Sequence, residues 1–135
     1  MAIFSKLGKY SNTALLLMRI GIGAMMILHG YPKLLAGKEL WTKLGSNMAH
    51  IGITAYPEIW GFMASISETI GGLLILIGFL FRPAAFFILF TMCIATLSHI
   101  YKDGNIKGAY ETIELASVFI GFFIMGPGKY SIDKS

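Results

Sequence analysis

The sequence predicts an all-α fold: an integral membrane four-helix bundle with a short interfacial helix in its first loop. Hydrophobic residues fill 56% of the 135 positions and charged residues only 13%, whereas soluble domains carry about a quarter charged residues. Four apolar runs, at residues 13–35, 57–80, 83–101 and 109–125, each approach the about 20 residues that cross ~30 Å of hydrocarbon at ~1.5 Å per residue. The runs and their connections read as one transmembrane domain over residues 1–135, with no stretch left for a separate soluble unit. Any chemistry is then expected in or against the lipid bilayer.

The first run follows Lys6 and Lys9, a pattern shared with cleaved signal peptides. Arg19 interrupts its apolar stretch and no small-x-small cleavage site follows, so it reads as a span. Pro32 lies within its last turns and is expected to loosen the backbone pairing of Leu28. In the first loop Leu40, Leu44 and Met48 recur every four residues beside Trp41. That spacing predicts a short amphipathic helix, lying in the headgroup region with Trp41 and Tyr56 or packed on the bundle. Pro57 and Pro83 suit the first turns of the second and third spans. Gly61, Ala64, Ser65, Gly71 and Gly72, with Ala109, Ala116, Ser117 and Gly121, are small enough to let helices approach closely. Four spans place both termini on one face. Basic residues divide evenly between the faces, and Lys6 and Lys9 before the dominant first span place the termini in the cytoplasm of a cell-membrane protein.

A net charge of +4 raises nucleic acid as a partner, but the lysines stand singly at run ends and read as interfacial anchors. Cys93 is the single cysteine, which excludes an internal disulfide or a dithiol redox pair. Arg19, His29, Lys33, Glu68, His99, Glu111 and Glu114 all fall inside the spans, where each is costly if it faces lipid. Measured from the face of the termini, Arg19 falls roughly 9 Å in, Glu68 and Glu114 roughly 18 Å, and His29 and His99 roughly 25 Å, with Glu111 deeper than Glu114. The spans thus share a polar zone running from mid-membrane to the opposite face, with Lys33 near its mouth. His29 and Lys33 lie one helical turn apart, as do Glu111 and Glu114. Arg19 is expected to pair with Glu68 or Glu114, since an arginine and a carboxylate in hydrocarbon neutralise each other. His29, His99 and the glutamates of the spans form no pair at i, i+3 or i, i+4 spacing, so no metal site is predicted from them. No nucleophile motif or phosphate loop is present either.

A partly hydrated pocket of this composition suits the polar head of a quinone: a histidine or lysine donates to a carbonyl, and a glutamate handles the proton. It suits the passage of a proton or small anion equally well. The same charges also fit a membrane scaffold whose ion pairs only hold helices together.

Three stretches carry a family resemblance: LLLMRIGIGAMMILHGYPKL at residues 15–34, SETIGGLLILIGFLFRPAA at 67–85 and IELASVFIGFFIMGPGKYSID at 113–133. The chain resembles, nearly end to end, the DoxX family of small four-helix membrane proteins. Arg19, Gly21, Gly23, His29, Gly30 and Lys33 stand where that family has its Arg, its glycines and its His-Gly-x-x-Lys, and Glu68 and Glu114 also match family positions. Relatives occur as subunits of thiosulfate:quinone oxidoreductase, or beside a sulfurtransferase and a superoxide dismutase. The resemblance implies a quinone ligand and thiol or sulfur redox chemistry with membrane-associated redox partners. A second copy of the chain is a further possible partner. This chain shows no fused partner subunit and no cofactor-binding segment, so the enzymatic role it implies is that of a subunit. Its closing Gly126-Pro127-Gly128 is expected to end the last helix and turn Tyr130 and Asp133 back onto helix ends.

Overall fold

Backbone groups placed in hydrocarbon find no water, so each apolar run satisfies its own N–H and C=O groups by winding into helix. The computed structural model describes residues 3–133, in which no strand occurs. Five α-helices follow in order: α1 (Ser11–Ala36), a short α2 (Lys38–Gly45), α3 (Pro57–Ile77), α4 (Phe81–Asp103) and α5 (Tyr110–Met125). Single 3₁₀ stretches precede α1, follow α2 and precede α5. α1, α3, α4 and α5, with their adjoining turns, are long and apolar enough to cross a bilayer.

Local signals set the boundaries. Pro57 opens α3, where its missing N–H costs no hydrogen bond. Gly78 closes it at φ 73°, returning its N–H to the Leu74 carbonyl at 2.8 Å. α4 begins at Phe81, two residues ahead of the run read from the sequence, because a distant residue caps it. The Asp133 carboxylate accepts from Leu80 N at 3.0 Å and Phe81 N at 2.8 Å. Pro32 sits inside α1, which continues past it to Ala36.

Small residues decide how the helices meet. A methyl added at Gly23 would lie 2.7 Å from the Gly72 carbonyl oxygen, and one at Gly30 would lie 2.7 Å from the Glu68 Cβ. α1 therefore crosses α3 at backbone-to-backbone distance. α2, the short helix expected in the first loop, lies against the first turns of α3: a side chain at Gly45 would overlap Pro57, and one at Gly61 would overlap Trp41. α4 packs on α3 through Gly71 and Ile88, and α5 packs on α4. Met26, Ile75, Phe81, Ile88, Phe119 and Phe122 meet in the core. Gly121 was expected to mark a helix contact, but nothing lies within 4 Å of a methyl placed there. The backbones of α1 and α5 stay apart, and only side chains cross the seam between them.

Gly72→Leu is accordingly expected to lower stability by about 1–3 kcal/mol or more, the range for forcing volume into a packed site. Gly121→Leu should stay within about 0.5 kcal/mol, as surface changes do. Denaturant unfolding in detergent micelles, followed by circular dichroism, measures both.

Candidate functional site

The ionisable side chains of the spans divide between the two ends of the bundle. At the end carrying the chain termini, Arg19 is 1% exposed. Its Nε donates to the Ile75 carbonyl at 3.1 Å and Nη2 to that of Leu76 at 2.9 Å. Nη1 donates to the Pro127 and Tyr130 carbonyls at 3.2 and 2.7 Å. No carboxylate lies within ion-pair distance of it among the described residues. This corrects the expected pairing of Arg19 with Glu68 or Glu114. The reason lies in helix ends: the last-turn carbonyls of α3 have no partner within the helix and carry the negative end of its dipole. A planar guanidinium with five donors satisfies several of them at once. The tail bends back as its glycines predict, presenting the Pro127 and Tyr130 carbonyls to Arg19 and the Asp133 carboxylate to α4. Arg82, at the start of α4, in turn donates to the Phe123 carbonyl in the last turn of α5 at 3.0 Å.

At the opposite end, Lys33 Nζ lies 3.1 and 2.9 Å from the two carboxylate oxygens of Glu68. The Glu68 side chain is 4% exposed and that of Lys33 34%. The Trp41 indole donates to the Lys33 carbonyl at 3.0 Å, tying α2 to the end of α1. His29 Nε2 lies 3.3 Å from Glu111 Oε1, joining α1 to α5 across their open seam. These four ionisable groups border a cavity of about 710 Å³. All three histidines of the chain line it, together with Lys33, Lys43 and Lys102. Glu68 is therefore a buried acceptor beside a cation, while the His29 side chain is 41% exposed.

Of the residues singled out in the sequence, His29, Lys33, Glu68, His99 and Glu111 line this cavity. Arg19 does not, being enclosed at the other end. Glu114 does not either; its side chain is exposed on α5. Sequence reasoning passed over His50, whose ring stacks on Tyr101 at 4.4 Å between centroids and 6° between planes. It also passed over Asn47, which accepts from the Ser98 hydroxyl at 3.0 Å and pins the first loop to α4. The signal available was the four-residue spacing that ends at Met48: it placed the loop against the bundle and so brought Asn47 and His50 near α4. Among the described residues no three His, Cys, Asp or Glu side chains converge as metal ligands.

Arg19→Met removes the donor from carbonyls of two separate segments and is expected to destabilise by at least about 1–3 kcal/mol, the cost of a buried acceptor left unsatisfied. Asp133→Ala, which removes a cap, is expected to cost about 0.5–2 kcal/mol. Unfolding free energies in micelles test the order; an Arg19→Met protein as stable as its parent contradicts the assignment.

Comparison with known proteins agrees with this architecture. The chain is 29% identical over 128 residues to inner membrane protein YphA of Escherichia coli (strain K12), covering 89% of this chain and 88% of that protein. No solved structure matches it. The DoxX family model matches residues 14–100, which contain most of α1, all of α2 and α3 and most of α4, including Arg19 and the Lys33–Glu68 pair. This multi-pass membrane protein therefore belongs to the DoxX family.

Proposed function

We propose that the polar cavity binds the head group of a quinone, and that the chain serves as the quinone-binding membrane subunit of a redox assembly. The observation that carries this is the Lys33–Glu68 pair, whose carboxylate is buried at the wall of a cavity of about 710 Å³. Ligand sites of small molecules span about 300–1,000 Å³, with few polar groups fixing orientation. Lys33 has three N–H donors and directs two at Glu68, leaving one for a carbonyl oxygen. Glu68 accepts or releases a proton at that oxygen, and His29, His50 and His99 connect it with water. A bound quinone would supply a two-electron couple whose reduction takes up protons. The chain's one cysteine, Cys93, is exposed and does not line the cavity, so electrons would come from a partner protein at the membrane. The name of the related inner membrane protein supports placement in the cell membrane, and Lys6 and Lys9 support cytoplasmic termini.

The test is titration of the protein in lipid nanodiscs with a tail-less benzoquinone. Glu68→Gln and Lys33→Met should each weaken binding at least about tenfold, which is about 1.4 kcal/mol. The double variant Lys33→Met/Glu68→Met should fold as stably as the parent, since replacing both members of a buried pair by apolar groups is often neutral, yet fail to bind. Absence of binding, together with solute flux into liposomes that Glu68→Gln abolishes, would support a passage instead.

A further inference from the structure

The Lys33–Glu68 pair borders a second cavity, which is apolar and of about 140 Å³. It is a wedge between the arms of the α3–α4 hairpin, walled by Met63, Ala64 and Ser67 on one side and Phe87, Phe90 and Thr91 on the other. Its origin is visible in the residues. Near the connection at Gly78, Gly71 admits Ile88, and Ala84 and Ala85 are small and buried, so the arms touch. Past that contact a cavity lies between the arms, with Met63, Phe87 and Phe90 among its walls. Leu44, Gly45 and Met48, from α2 and the turn after it, roof the gap. Met63, Phe87 and Phe90 are 46, 52 and 40% exposed on the surface that faces lipid. Lys33, Glu68, Leu44, Asn47 and Ala95 line both cavities. The two cavities therefore share a wall, and the Lys33–Glu68 pair stands in it between the apolar wedge and the polar cavity.

We propose that this wedge is the lateral entrance of the site and the seat of the first part of a quinone's isoprenoid tail. The proposal rests on the quinone reading of the polar cavity. An amphiphile with a polar ring and one apolar chain matches the order of the surfaces: the wedge is too small for a substituted ring, and the larger cavity, with its lysines and histidines, is ill suited to hydrocarbon. The other lateral opening, between α1 and α5, is crossed by the His29–Glu111 pair, which a chain passing there would have to desolvate. Lys33 and Glu68 then stand at the junction of head and tail, where they gate entry as well as bind.

The experiment compares a tail-less benzoquinone with its decyl-tailed counterpart, on the unaltered protein and on Ala64→Phe, which fills the wedge. Ala64→Phe should weaken the decyl compound at least tenfold and leave the tail-less one within twofold. In parallel, a benzoquinone carrying a diazirine on its chain should label Met63, Phe90 or Thr91 of the unaltered protein, a readout independent of how the variant folds. Unchanged decyl affinity in Ala64→Phe, or label confined to α1 and α5, overturns the wedge while tail-less binding keeps the quinone reading intact. Failure of both compounds to bind the unaltered protein removes the quinone reading and the entrance together.

Discussion

A guanidinium survives in hydrocarbon only if its nitrogens all meet oxygen, and the three nitrogens of Arg19 meet four carbonyls from two segments far apart in the chain. Two belong to the last turn of α3 and two to the tail beyond α5. The charge is answered by backbone dipoles rather than by a carboxylate, an arrangement that satisfies orphan acceptors and a buried cation in one step. It also fixes order along the chain, because α1, the end of α3 and the tail are held at a single point. Asp133 then caps α4 from the same tail, and Arg82 reaches back to the last turn of α5. The termini-bearing end is in this way tied by interactions that lock every spanning helix to its neighbours.

With one end locked, the other is free to stay open. α5 leans on α4 without approaching α1, and the first loop folds over the gap instead of closing it. Lys33, Glu68, His29 and Glu111 remain as side-chain pairs around space, where Arg19 is packed against backbone. The division explains why one buried charge is packed against backbone while others of the same protein border a cavity. It follows from what is near each: the last-turn carbonyls of α3 and the returning tail surround Arg19, whereas a cavity and the first loop border Lys33 and Glu68.

Much of this was legible in the residues. The spans follow from apolar run length, α3 begins at its proline, and the glycines after α5 announce the returning tail. The ion pairs were not legible, and the crossing of α1 with α3 shows why. Counting rise from the membrane faces set His29 roughly 7 Å beyond Glu68. In the fold, Gly30 sits directly against the Glu68 Cβ, because α1 ends well short of the level at which α3 begins and α2 occupies the difference. The lysine one turn further on is then within reach of Glu68, and its flexible stem closes the distance. Arg19 was misassigned because the sequence shows carboxylates as letters but hides the carbonyls freed at a helix end. His50 and Asn47 were missed because their role depends on where the loop lands.

One end of this bundle is sealed by backbone-bound arginine, and the other holds a polar cavity that water should reach. Single cysteines in a Cys93→Ser background, probed in liposomes with a membrane-impermeant maleimide, test it most directly. Cysteine at Ala95, which lines the cavity, should be labelled from one side of the bilayer, and cysteine at Ile75, fully buried beside Arg19, from neither. Labelling at Ile75 with none at Ala95 would mean that the sealed and open ends are reversed.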